Sequence, residues 1–228
     1  MNFSRNVEDG SFGLSWVQLT FLVGGIITVS WSYLPSTGGS LNLRVIRDTT
    51  LYILIPGVLA ITHGRHLGYR VDRKAIRNTL ILAAFVIPIY VVGSSLPTIR
   101  TYYPMWETSA ALGSFLPHSV KQFIVVLAAE TYYRGFLCVG LRKIGYKSAF
   151  VSPVIYAFHH LGKPPIEVVL SAPTDVLFGV VDFNCDSLLP SVVAHGVGLM
   201  LLDWLVLHKP LIPPERVVHW LSWIPVHM

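Results

Sequence analysis

Charge is what this sequence has least of. Charged residues make up 13% of its 228 residues, against about a quarter in an ordinary soluble domain. From Gly10 to Leu43 there is no Asp, Glu, Lys or Arg. A stretch of that kind is long enough to cross ~30 Å of hydrocarbon, and hydrophobic residues account for 53% of the chain. A soluble globular enzyme is thereby excluded. Cysteine is nearly absent, and Cys138 and Cys185 are too few for a disulfide framework. The start, Met1 to Gly10, holds Glu8 and Asp9 and lacks the basic n-region of a cleavable signal, so the first apolar run is expected to be retained. No internal repeat or low-complexity segment stands out.

The expected fold class is all-α: one polytopic membrane helix bundle of about seven to eight transmembrane helices. Seven candidate spans run roughly over 13–34, 49–63, 79–97, 118–141, 147–162, 166–183 and 188–207. The second and fifth are short, and so are tilted, longer than drawn or partly re-entrant. As one integral membrane domain, the chain divides into N-terminal helices and loops (1–117), a motif-bearing core (118–207) and an interfacial tail (208–228) with Trp220 and Trp223 among prolines. The segment 98–117 reads as an interfacial loop. The basic groups Arg65, Arg70, Arg73, Lys74 and Arg77, and then Arg142, Lys143 and Lys147, share one side if every span crosses. By the positive-inside rule that side is cytoplasmic, which puts the N-terminus in the cytoplasm, with the cell membrane as the expected location. Arg44 and Arg47 fall on the opposite side. The net charge of +5 is thus carried by loops that flank spans, and nucleic acid is not an expected partner.

An ionisable side chain inside a span costs several kcal/mol unless it is paired or lines a wet cavity, which makes it a functional candidate. In Ala129-Glu130-Thr131-Tyr132-Tyr133-Arg134-Gly135, Glu130 and Arg134 stand one helical turn apart and can meet on one face. A purely structural ion pair fits that spacing equally well. His160 closes the fifth candidate span and His195 lies in the seventh. Adjacent helical residues point about 100° apart, so only one of His159 and His160 faces a given centre. A single membrane histidine is commonly a packing residue. One carboxylate and two histidines from three spans can together hold a water and take its proton.

These residues resemble the CAAX protease and bacteriocin-processing (CPBP) family of glutamic-type intramembrane proteases. Its first motif, Glu-Glu-x-x-x-Arg followed by Gly, is similar to Ala129 through Gly135; its second, an aromatic residue, three spacers and His, to Tyr156 through His160; its third, His-x-x-x-Asn or Asp, begins at His195. The resemblance covers about 121–207. It implies a CPBP-type peptidase core in which water is activated to hydrolyse a peptide bond near the membrane. The implied partners are membrane lipid and a peptide or protein with a membrane-embedded or lipidated segment. Catalytic positions carried over are Glu130, Arg134, His160 and His195, with Glu130 and His160 activating water and His195 at the oxyanion. Asp175, His159 and Tyr133 are candidates to line the same cavity. Asp182, seven residues beyond Asp175, shares its face, although it can also be a solvated residue at a span end; Asp175 can also cap a helix restart after Pro173.

Two positions depart from the pattern. Ala129 occupies the first glutamate position and Leu199 the Asn/Asp position. Ala129 has three readings: an inactivating substitution, a natural variant in which Glu130 alone serves, or a protein that has lost proteolysis. The second departure argues against a single engineered change. Asp203 lies about 12 Å along a helix from His195, too far to replace Leu199. No cofactor is expected; zinc on His160, His195 and Glu130 is the metal alternative, without an H-E-x-x-H helix to support it. Cys138 is a weaker candidate nucleophile. A non-proteolytic scaffold or receptor on the same fold is the competing class, and a transporter would want an internal repeat. Cleavage that appears only after Ala129→Glu is the outcome expected of an inactivated protease, and unchanged cleavage by Glu130→Ala would remove the assigned base.

Overall fold

The computed structural model describes residues 13–34, 37 and 39–226. The polar start from Met1 to Gly10 lies outside the described residues. The elements are α1 (Trp16–Tyr33), α2 (Leu41–Thr62), α3 (Arg73–Gly93), α4 (Pro97–Tyr102), α5 (Leu112–Phe136), a kinked 3₁₀ segment (Val139–Phe150), α6 (Pro153–Phe158), α7 (Pro165–Cys185), α8 (Leu189–Val206) and α9 (Pro214–Trp220). Among the described residues there is no strand, and the molecule is an all-α helix bundle.

Among the described residues five helices, α1, α2, α3, α5 and α8, are long and apolar enough to cross a membrane. The chain is an integral membrane protein, with five such helices in place of the expected seven or more. The second span is longer than drawn, because the helix begins at Leu41 and carries Arg44 and Arg47 within it. Both arginines reach Asp48, which is fully buried and also accepts from Trp31 Nε1 at 3.0 Å. They neutralise a buried acid and are not loop charges, which removes them from the positive-inside count.

The fifth span is corrected most. Gly145 and Gly162 adopt positive φ and Pro153 opens α6, so 147–162 forms a broken path whose one α-helix is six residues long. Six residues reach about 9 Å, far short of ~30 Å. A hydropathy window sums side chains and misses these interruptions. The sixth span is a 21-residue helix, α7, bearing Glu167, Asp175 and Asp182, and is not among the five. Segment 98–117 is partly helical, since it contains most of α4 and the start of α5. In the tail, α9 buries Val217, while Trp220 at its end and Trp223 beyond it are exposed.

The two basic loops meet at Asp186, which accepts from Arg70 at 3.3 Å and Arg142 at 3.0 Å. Asp72 caps α3 by accepting the Ala75 N–H at 2.8 Å. That bond, helped by Arg70, holds its carboxyl below the usual range. Trp16 Nε1 donates to Gly140 O at 2.8 Å, so α1 begins at this same basic end.

Inside the bundle, α8 packs through glycines. A Cβ on Gly196 would stand 2.6 Å from the Phe123 ring, and one on Gly198 would strike the Tyr90 ring. These contacts let α8 approach α5 and α3 closely, as small residues do between membrane helices. Gly198→Ala is expected to destabilise the bundle by about 1–3 kcal/mol through overpacking, read as a lower unfolding midpoint in detergent; an unchanged midpoint would mean that α8 and α3 can move apart freely.

Candidate active site

Immediately after Glu130 the α5 helix widens to a π turn over Thr131–Phe136, and α2 does the same over Thr49–Leu54 after Asp48. Single π turns are frequent at functional sites because they re-aim side chains within a helix. The two wide turns face one another, with Tyr52 stacked on Tyr132 at 4.7 Å between ring centroids. Gly135 lets the 64–72 loop close over this turn: a Cβ there would lie 2.9 Å from Leu67 O. Tyr69 OH bonds Thr131 from that loop.

Arg134 is the centre of the site and is fully buried. Its Nε lies 3.1 Å from Glu130 Oε2, and an Nη lies 3.1 Å from Asp175 Oδ1. These are ion-pair distances, although the N–H groups are not aligned on either oxygen as hydrogen bonds. The guanidinium lies over the Tyr156 ring at 4.4 Å and near Phe178 at 5.4 Å. Asp175 accepts from Ser152 Oγ at 2.6 Å. The α7 helix runs unbroken through Pro173, so Asp175 faces Arg134 and caps no restart.

His195 closes the chain of contacts. Its Nδ1 bonds Glu130 Oε1 at 2.6 Å. Glu130 is wholly buried, whereas the His195 side chain is 17% exposed. The imidazole on Glu130 is therefore His195 and not His160. His160 directs Nδ1 to Tyr156 O at 2.7 Å and lies tilted against the Tyr156 ring at 4.3 Å; Arg134 and His195 are among its electrostatic neighbours. Among the described residues, no protein group bonds Nε2 of either histidine.

The other candidates separate. Tyr133 OH bonds His159, which turns away onto Trp31 at 4.3 Å and toward Ser32 at 3.3 Å. This is the divergence of adjacent residues expected from helical geometry. Ala129 is partly buried against the apolar core around Tyr132 and Tyr133. Leu199 packs with Val126, Leu202 and Val206, so its position belongs to the core. Asp182 is fully buried, not solvated, and accepts from Ser191 N at 3.2 Å and Ser191 Oγ at 2.5 Å. It thereby fixes the first turn of α8 one turn ahead of His195. Asp203 pairs with His118 and Gln122, both at 2.8 Å. Ser152 and the His118–Gln122–Asp203 group were missed in the sequence, although the i,i+4 spacing of His118 and Gln122 was a visible signal.

Glu130 and His195 bond each other, and among the described residues no group of three or more His, Cys, Asp or Glu is arranged to hold a metal ion. The zinc alternative does not fit this donor set. Cys138 Sγ faces Gly179 O at 3.4 Å and Ser148 Oγ at 3.8 Å, packed with Ala149 and Phe183, and no histidine or carboxylate bonds it among the described residues.

Fold and site together define an integral membrane helix bundle with a buried acid–arginine–histidine centre. The family model that matches is type II CAAX prenyl endopeptidase Rce1-like, over residues 111–199. That segment is Rce1-like, and the resemblance to the CPBP family read from its motifs stands. No curated protein and no solved structure matches the chain.

Removing the cation would strand two carboxylates in the interior. Arg134→Met is expected to cost roughly 3–5 kcal/mol of stability, with part recovered by adding Asp175→Asn. Equal unfolding midpoints for parent and Arg134→Met would show that Glu130 and Asp175 do not need the guanidinium.

Proposed function

We propose that this chain is an intramembrane endopeptidase that hydrolyses a prenylated or membrane-proximal peptide, with His195 as the base and Glu130 as its orienting partner. The observation that carries this reading is the 2.6 Å bond between a wholly buried Glu130 and a partly exposed His195. A carboxylate sealed from solvent cannot meet water or substrate, but it can hold an imidazole in one tautomer and stabilise its protonated form, as the acid does in a hydrolase triad. Nδ1–H donates to Glu130, which leaves Nε2 to accept a proton from water.

In this reading a water lies between Nε2 of His195 and Nε2 of His160. The Nδ1–H of His160 is committed to the Tyr156 carbonyl, so its other nitrogen accepts the second water O–H. Nε2 of His195 takes the proton as the water oxygen attacks the scissile carbonyl carbon. The resulting imidazolium then passes that proton to the leaving amine as the C–N bond breaks, giving a carboxylic acid and an amine; the acid's remaining proton, the second from the water, then moves to the amine, leaving a carboxylate and an ammonium. Arg134 does not touch the reacting atoms; it keeps Glu130 ionised and in place, anchored in turn by Asp175. This assignment moves the base from Glu130 to His195, and it does so without a carboxylate at position 129.

The reading extends to the whole chain as one membrane domain. Residues 118–207 supply the reaction, 1–117 supply framework helices and 208–228 form the interfacial tail. The N-terminus would be cytoplasmic in the cell membrane. Arg70 and Arg142 gather at the end where α1 begins, and basic residues mark the cytoplasmic side.

A second reading, a non-proteolytic scaffold on the same fold, is favoured by Ala129 and by the apolar packing of Leu199. Cleavage of a prenylated peptide by the purified chain separates the two. Glu130→Gln and His195→Gln are each expected to lower it by about a hundredfold to ten-thousandfold, with Lys74→Gln as an unaffected control. No cleavage by the parent chain, together with retained folding, would support the scaffold; full activity in His195→Gln would end the assignment of the base.

A further inference from the structure

At the end of the bundle opposite the basic loops, α2 and α5 begin beside one another around an open pocket of about 350 Å³. Its lining includes Ser40, Asn42, Glu107, Ser114, His118 and Lys121. Neither helix has an acidic residue in its first turn, and Ala111, the residue that starts α5, supplies no side-chain cap. The first N–H groups of α5 therefore carry their partial positive charge uncapped into this space, beside the start of α2, where Ser40 Oγ accepts from Leu43 N–H at 3.4 Å. Lys121 adds a full charge without an ion-pair partner among the described residues.

A second feature points to a ligand independently of the helix ends. His118 lines the pocket yet is only 5% exposed. Its Nε2 is held by the buried Asp203 at 2.8 Å, and Nδ1 has no partner. An unpaired ring nitrogen sealed in this way costs stability unless something answers it. Gln122 donates to the same Asp203 oxygen, so the imidazole is braced from behind as a group that must keep its orientation.

We propose that this pocket binds the phosphoethanolamine headgroup of a membrane lipid. The phosphate would sit against Lys121, His118 and the N–H groups of the two helix ends, the usual recipe for a phosphate site. Glu107, exposed and without an ion-pair partner among the described residues, would answer the ammonium. A pocket for a purely anionic group would not want a carboxylate in its lining, whereas a zwitterion carries both charges within one headgroup. Its location agrees, since both helices are candidate spans and their first turns lie where headgroups are found. The proposal is independent of the proteolytic reading and concerns a different end of α5 and α8.

The test uses the full chain in detergent, with short-chain phosphatidylethanolamine, phosphatidylcholine, phosphatidylglycerol and inorganic phosphate as probes, and binding read by calorimetry or native mass spectrometry. Phosphatidylethanolamine should bind tightest, because the quaternary ammonium of phosphatidylcholine cannot donate to Glu107 and phosphatidylglycerol offers no cation. Lys121→Gln should weaken it by about tenfold or more, and Glu107→Gln should bring phosphatidylethanolamine and phosphatidylglycerol level. Asn42→Asp guards against a trivial folding defect. An acid in the first turn favours the helix, so the variant should stay as stable as the parent and still lose phosphatidylethanolamine. Parent-like binding in both Lys121→Gln and Asn42→Asp would overturn the site. Inorganic phosphate binding as tightly as phosphatidylethanolamine would overturn the lipid headgroup as its occupant.

Discussion

Arg134 sits between two carboxylates in a fully buried position, and the arrangement of the motif-bearing half follows from that. A guanidinium cannot be taken out of water without opposite charge close by, and a carboxylate is no cheaper. Glu130 meets it from the same helix, and Asp175 meets it from α7. Tyr156 covers its face from α6. His195 then reaches the far oxygen of Glu130 from α8. Four elements are tied to one cation, so the segments that are worst at crossing a membrane on their own are held by charge rather than by hydropathy.

This constraint explains the broken stretch from Val139 to Phe158. Irregular backbone at membrane depth is tolerated where it is enclosed by protein or lines a cavity. Ser152 and Tyr156 lie on that stretch and both serve the Arg134 centre, through Asp175 and through the guanidinium face. The wide π turn after Glu130 belongs to the same economy of space, since Arg134 must turn back toward both acids while Gly135 admits the 64–72 loop. Across the facing π turns a parallel device appears at Asp48, where two arginines and Trp31 satisfy another buried acid.

The α5–α8 pair is joined twice by a histidine and a carboxylate, in opposite senses. His195 of α8 bonds Glu130 of α5, and His118 of α5 bonds Asp203 of α8. The helices run antiparallel, so the two bridges fall near opposite ends of their contact, with the Gly196–Phe123 contact between them. One bridge is partly open through its histidine to the Rce1-like centre; the other stands behind a surface pocket. Fixing both ends sets the register of α8, and register decides where His195 points.

By itself the sequence determined that this is an all-α membrane protein and singled out Glu130, Arg134, His160 and His195 as its candidate site. The reasons are local: apolar length is additive along a chain, and an i,i+4 pair is a property of one helix. The departures at Ala129 and Leu199 were equally plain, because a motif position is read residue by residue. Only the tertiary structure decided which histidine meets Glu130, which of Asp175 and Asp182 reaches Arg134, and that 147–162 is broken rather than a crossing helix. Each of these depends on how helices far apart in sequence are rotated and staggered against one another. Spacing within a single helix carries no record of that rotation, so the Glu130–His195 and His118–Asp203 bridges became visible only once α5 and α8 were packed together.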